Sequence, residues 1–268
     1  MDPTTLALVL GAITGLVLAL TGAGGGVLAI PLLVFGLHLP LQQAAPVGLV
    51  AVGLASAIGA FLGLRQRIVR YRAAAVIGIS GMLMAPIGVF MAQRLPNRPL
   101  LAAFAVVLMY TAWRMLRRPA LVEQSAAAVP CRVSSTDQRL TWTQPCARAL
   151  AGTGLVSGVL SGLLGVGGGF VIVPALTRYT DLEMRSIQAT SLAVIALVSV
   201  SGVSAAALDG ALPWAVALPF ASGAVLALLM GRQVAGRLNA KSLQRTFAWF
   251  TLLISLLVLA RAFGWVAL

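Results

Sequence analysis

Residues 15–33 read GLVLALTGAGGGVLAIPLL, and residues 154–176 read GLVSGVLSGLLGVGGGFVIVPAL. Each is an apolar stretch interrupted by three consecutive glycines and followed by a proline. The second copies the first at a fixed distance: Gly11, Gly15, Gly22, Gly24, Gly25, Gly26, Pro31 and Leu33 recur 143 positions later as Gly154, Gly158, Gly165, Gly167, Gly168, Gly169, Pro174 and Leu176. Without a gap, the same offset pairs Leu49 with Leu192, Gly59 with Gly202, Tyr71 with Trp214, Gly88 with Gly231 and Phe104 with Phe247. A repeat of this size sets the architecture before any single residue is interpreted. Residues 1–118 form a first membrane repeat, 119–147 a polar linker with two prolines and no apolar periodicity, and 148–268 a second repeat.

The 268 residues are 60% hydrophobic and 9% charged, whereas a soluble domain carries about 25% charged residues. Residues 5–20, 46–64, 73–92, 99–113, 187–208, 211–231 and 246–260 carry almost no charge, and each approaches the roughly 20 apolar residues that span a bilayer. A membrane β-barrel would need alternating polar and apolar residues, which these Ala-, Leu- and Gly-rich stretches lack. The net charge of +13 comes from basic residues beside or between the apolar stretches, a placement that orients helices in a membrane and argues against nucleic acid as the partner. The N-terminus has no basic segment before its apolar run, so a cleaved signal peptide is not expected. Cys131 and Cys146 both fall in the linker, where a disulfide, a redox pair or no special role are all open.

Topology turns on whether the glycine-broken stretch crosses the membrane. If it does, the halves run parallel and the 19 basic residues divide 11 to 8. If residues 5–20 enter, the glycines turn and residues 27–37 return, the halves are inverted and the division becomes 16 to 3, with only Arg94, Arg98 and Arg261 outside. Excess Lys and Arg mark the cytoplasmic side, so the second partition is preferred. The glycines support a break independently, because each costs about 1 kcal/mol relative to Ala inside a helix. Pro31 and Pro174 suit the first turns of the returning helices. The expected fold is an all-α polytopic membrane protein of two inverted-topology repeats, each a broken, re-entrant helical hairpin plus three transmembrane helices. Both termini are expected in the periplasm and the linker in the cytoplasm.

Non-helical backbone at membrane depth is tolerated where it lines a cavity, and inverted repeats bring two such breaks together near the midplane. Each returning helix starts there with unpaired N–H groups and a partial positive charge, an anion site that glycine lets a ligand approach. Gly24, Gly25, Gly26, Gly167, Gly168 and Gly169 are therefore candidate substrate-binding residues, with helix packing through small-residue spacing as the competing reading. Thr21, Gln188, Thr190, Ser191, Ser199 and Ser201 are polar groups in apolar surroundings. Thr21, Gln188, Thr190 and Ser191 are taken as further candidates, although Gln188, Thr190 and Ser191 also suit capping, and Ser199 and Ser201 suit bonding to their own helix. His38 fits a membrane edge better than a proton relay. Neither glycine run leads to the Gly-Lys-Ser/Thr of a nucleotide loop. No span carries a central Asp, Glu or Lys, and no cluster suits a metal, a cofactor or catalysis.

The paired glycine motifs, with QAAPVGL (43–49), IQATSL (187–192), FMAQRLPNRPL (90–100) and LMGRQVAGRLNAKSL (229–243), resemble the sulfite exporter TauE/SafE family over nearly the whole chain. The resemblance implies a bacterial inner-membrane permease, usually an exporter, for sulfur-containing anions such as sulfite, thiosulfate, sulfoacetate or other organosulfonates. It implies a site role for the two glycine triplets, Thr190 and Ser191. The first half has APVGL where the second has ATSL, so the two halves do not offer the same hydroxyls. The expected partners are a small anionic substrate and the lipid bilayer. The competing functional readings are a passive anion channel and a membrane-embedded assembly or enzyme component.

Overall fold

The computed structural model describes residues 2–22, 25–117, 131, 143–210, 212–235 and 240–263. Within them the apolar stretches form ten helices: α1 (Pro3–Thr21), α2 (Gly25–Gly36), α3 (Leu41–Arg65), α4 (Tyr71–Arg94), α5 (Asn97–Arg117), α6 (Gln144–Leu164), α7 (Gly169–Tyr179), α8 (Met184–Leu208), α9 (Trp214–Ala235) and α10 (Ala240–Ala262). Local chemistry sets the ends. Pro3 opens α1, where a missing N–H costs nothing. Gly22 closes it in the left-handed conformation at φ 75°, donating to the Leu18 carbonyl at 2.8 Å. In the second copy Thr143 caps α6 by accepting from the Cys146 N–H at 3.3 Å, and Gly165 closes it at φ 71° with a 2.8 Å bond to Ser161. α6 thus begins inside the stretch expected to be linker. The returning helices restart within the glycine runs, α2 at Gly25 and α7 at Gly169, so Pro31 and Pro174 lie beyond the first turn, inside α2 and α7. Their position differs from the expectation because glycine, once past the turn, is free to re-enter a helix.

The halves exchange arms. Gly11 and Gly15 of α1 press on the carbonyls of Phe220 and Ala224 in α9, while Gly154 and Gly158 of α6 press on those of Ile77 and Gly81 in α4. These contacts are one set, repeated 143 positions on. Small residues let backbones approach to this degree in lipid, where dispersion rather than water drives association. At the centre α3 packs on its own repeat, α8. Leu49 meets Gly202, Gly53 meets Ser199 and Gly59 meets Leu192. Positions climb in α3 as they descend in α8, so the two equivalent helices run antiparallel. α5 packs on α10 in the same self-paired manner.

Six helices are long and apolar enough to cross a bilayer: α1, α3, α4, α6, α8 and α9. Their outward residues, among them Ile79, Leu83, Val200, Leu226 and Met230, are exposed and suit lipid. The first arms are longer than half-spans: α1 has 19 residues, about 28 Å of helix. The glycine run says where the chain breaks, but not how deep the arm before it reaches. α5, with Arg98 near its start and Arg114 and Arg117 in its last turn, is not among the six.

Cys131 and Cys146 form a disulfide with Cα atoms 5.0 Å apart. Cys131 also donates its N–H to the Tyr179 carbonyl at 3.1 Å. The one described residue of the linker's middle is thereby tied to the start of α6 and the end of α7.

The close approach of α6 to α4 predicts that Gly158→Leu lowers the melting temperature in detergent by several degrees, since overpacking costs about 1–3 kcal/mol or more. A Cβ at Gly152 meets nothing within 4 Å, so Gly152→Leu is expected to melt with the native chain. Equal melting of both variants contradicts the packing.

Candidate functional site

Both glycine breaks fold the chain back on itself. In the first half a Cβ on Gly25 would lie 2.5 Å from Leu18, and one on Gly36 would lie 2.6 Å from Leu10. The paired positions rise on one arm and fall on the other, so α1 and α2 are an antiparallel hairpin. In the second half Gly167 and Gly168 adopt φ 74° and 70°, a conformation that costs an L residue about 1–2 kcal/mol. The Ser157 hydroxyl, two turns back on α6, donates to the Gly168 carbonyl at 3.3 Å. That bond fixes the fold-back of α7 on α6. Gly24 lies outside the described residues.

The tips of the hairpins reach past one another. Gly22 abuts the side chain of Gln188, near the start of α8, and Gly165 abuts the backbone of Ala45, near the start of α3. These two contacts are again 143 positions apart, and because α3 and α8 are antiparallel they lie toward opposite ends of the pair. Between them, the opening residues of α2 meet the second break. Gly26 packs on the Val166 carbonyl, and the Val52 side chain touches both breaks, at 3.4 Å from a Cβ on Gly26 and 3.1 Å from one on Gly167. Ile195, the repeat of Val52, lies 2.8 Å from the same point on Gly167. Val52 and Ile195 stand near the middles of α3 and α8.

The amides at this junction belong to helix starts. The first bonded amides of α7 are those of Val171 and Ile172, both donating to the Gly168 carbonyl at 3.0 and 3.2 Å. The N–H groups ahead of them in the first turn have no helical acceptor and carry the positive end of the helix dipole. α2 opens in the same way at Gly25 and Gly26, both buried. The opening of α2 and the turn that leads into α7 thus meet beside Val52, with Ile195 against the second break.

Of the polar candidates, Thr21 and Gln188 are brought to the first break. The Thr21 hydroxyl donates to Val17 at 2.8 Å, and the Gln188 amide donates to the Thr21 carbonyl at 3.3 Å. Thr190 and Ser191 are also buried on α8. Thr190 accepts from the Arg70 N–H at 3.1 Å, and Ser191 donates to Gln188 of its own helix at 2.8 Å. With Ser186, which donates to Ile68 at 2.6 Å, Thr190 pins the α3–α4 connection to α8. Ser201 bonds across to Met82 at 2.7 Å. Gln42 and Gln93 stitch the start of α3 to the end of α4. His38 is exposed in the α2–α3 connection at φ 53°.

Sequence alone does not single out Ser56, Ser161 or Ser199 as site residues, yet their hydroxyls are buried with no hydrogen-bond partner among the described residues. The signal that finds Ser56 is the repeat itself, since Ser56 and Ser199 are 143 positions apart. Among the described residues no three His, Cys, Asp or Glu side chains gather as a metal would require. A groove of about 580 Å³ lined by Thr4, Thr5, Leu8, Leu218, Pro219 and Ser222 opens at the outer side of α1 and α9. Its apolar lining and distance in the fold from both breaks fit a lipid-facing crevice better than a polar site.

Comparison with known proteins agrees with this architecture. The family model for the sulfite exporter TauE/SafE matches residues 7–258. A "Probable membrane transporter protein" of Xylella fastidiosa (strain 9a5c) is 26% identical over 260 residues, 95% of this chain and 94% of the relative. "Probable membrane transporter protein YunE" of Bacillus subtilis (strain 168) is 26% identical over 247 residues, 88% of this chain and 89% of the relative. "Probable membrane transporter protein MJ0441" of Methanocaldococcus jannaschii is 27% identical over 204 residues, 74% of this chain and 70% of the relative. No solved structure matches the chain. Ten helices in two copies, six of them able to span a bilayer, and a match over nearly the full length lead to one conclusion: the chain belongs to the sulfite exporter TauE/SafE family and is a multi-pass membrane transporter.

Proposed function

We propose that the chain exports a small sulfur-containing oxyanion, such as sulfite, thiosulfate or an organosulfonate, across the bacterial inner membrane. The anion is held near mid-bilayer by backbone amides at the starts of α2 and α7. The observation that supports this reading is the junction of the two breaks, where Gly26 packs on the Val166 carbonyl and Val52 touches both Gly26 and Gly167. A region with two positive helix ends and no acidic neighbour among its lining residues favours an anion over a cation. Gly24, outside the described residues, belongs to the same proposed shell by its place in the repeat. Thr21 and Gln188 shape the first break, Ser191 braces Gln188 from the same helix, and Thr190 acts through the α3–α4 connection that it holds.

Direction follows from the potential. A negative interior drives negative charge outward at about 2.3 kcal/mol per charge per 100 mV, so export needs no proton carrier. The tight packing of Val52 and Ile195 on the breaks favours a carrier that alternates its access over an open pore. Rocking of one half against the other, about the antiparallel α3–α8 pair, is the motion this symmetry suits. No catalytic residue or cofactor enters this reading.

The antiparallel pairing also supports inverted repeats of 1–118 and 148–268, with both termini periplasmic and residues 119–147 cytoplasmic. The disulfide pulls the other way, because cytosolic reductants keep such pairs as thiols. The charge partition carries the orientation, because it draws on 19 basic residues along the whole chain.

Two experiments test these statements. In proteoliposomes, Gly25→Leu and Gly168→Leu are each expected to cut efflux of labelled sulfite, thiosulfate and sulfoacetate roughly tenfold or more, because the added side chain blocks approach to the amides and forfeits about one hydrogen bond to a charged group. Unchanged flux in both rejects the binding mode. For topology, a membrane-impermeant maleimide applied to intact cells is expected to label Thr4→Cys and to spare Ser125→Cys, each in a Cys131→Ser, Cys146→Ser background. The reverse pattern rejects the orientation.

A further inference from the structure

Hydroxyls buried in membrane helices ordinarily bond back to the preceding turn. Thr14, Ser80, Thr111 and Thr153 do so in this protein, donating to the carbonyls of Leu10, Val76, Val107 and Ala149 at 2.7 to 3.1 Å. Ser56 and Ser199 do not. Their side chains are 0% and 2% exposed, and neither hydroxyl has a hydrogen-bond partner among the described residues. An unsatisfied buried hydroxyl costs about 1–3 kcal/mol, so two of them at repeat-equivalent positions require an explanation.

Their location supplies one. Ser199 faces α3, its Cβ 2.6 Å and its hydroxyl oxygen 3.1 Å from a Cβ placed on Gly53. Ser56 lies on the same stripe of α3, three positions from Gly53 and three from Gly59, which meet Ser199 and Leu192 of α8. Residues three or four apart share a helix face. The same rule sets Ser56 one turn from Val52 and Ser199 one turn from Ile195, the two side chains that touch the glycine breaks. A third unpartnered hydroxyl, Ser161, lies on α6 one turn beyond Ser157, which bonds Gly168. All three thus sit on the helices that frame the junction.

We propose that the Ser56 and Ser199 hydroxyls are substrate-binding groups, a pair of donors contributed symmetrically by α3 and α8 to an oxyanion at the junction of the breaks. The assignment rests on the reading that this transporter carries such an anion. A helix start offers amides from one side only, and an oxyanion has several oxygens to satisfy. Hydroxyls from the axial helices complete the shell on the side that the amides leave open. In an antiparallel pair the two donors swap roles as one half moves against the other, so each is placed to hold the anion from one side of the membrane.

The test compares Ser56→Ala, Ser199→Ala and the double variant with the native chain in proteoliposomes, using sulfite, thiosulfate, sulfoacetate and nitrate. Ser204→Ala, whose exposed hydroxyl bonds Val200 on its own helix, is the control. Each single change is expected to raise KM for the carried anion roughly tenfold, and the double change more, by the strength of hydrogen bonds to charged groups. The melting temperature is expected to stay level or rise, because no protein partner is lost. Native KM in the double variant, with flux still lost in Gly25→Leu, overturns the serine assignment and leaves the glycine site standing. A native chain that carries none of the four anions overturns both.

Discussion

Hydrocarbon offers no partner to a free peptide group, so a chain that stops being helical inside the bilayer must bring its open amides and carbonyls to one another or to a ligand. This transporter stops twice, at Gly22 and at Gly165. The rest of the architecture follows from shielding those stops. Each hairpin is buried against helices of the other half: α1 on α9 and α6 on α4, with glycines at every close crossing. The exchange of arms makes the two copies one body. It also sets the opening turns of α2 and α7 around Val52 and Ile195, in the middle of the antiparallel axial pair.

Two carbonyl acceptors show how the breaks are held. The Gly168 carbonyl receives the amides of Val171 and Ile172 and the hydroxyl of Ser157. The Thr21 carbonyl receives the Gln188 amide. Acceptors are thus answered within the protein, while the positive ends of the helices point into the junction. That arrangement leaves the opening amides as the groups available to the proposed anion.

Much of this was legible in the residues. The offset of 143 positions gave the two copies, and the glycine triplets gave the breaks, since no other residue type both stops a helix and takes the left-handed turn at little cost. What could not be read was distance along the third dimension. A glycine run carries no information on how long its preceding arm is, and α1 and α6 proved long enough to cross the bilayer. Nor does a hydroxyl in an apolar stretch announce its partner. Nothing in the sequence names the Arg70 amide from which Thr190 accepts or the Gln188 carbonyl to which Ser191 donates. Ser56 looks unremarkable, and only its position opposite α8 and its repeat mate Ser199 give it meaning. The arm exchange was hidden for the same reason, because Gly11 and Gly154 advertise close packing without naming the helix they pack on.

The central claim is that one anion sits where the two breaks meet. Anomalous diffraction from crystals of the protein grown with selenite, a heavier analogue of sulfite, locates such an ion directly. The account predicts one peak within hydrogen-bonding reach of the opening amides of α2 or α7, beside Val52. A peak confined to the outer groove near Thr4 and Ser222, or unbroken helices through Gly25 and Gly168, would contradict it.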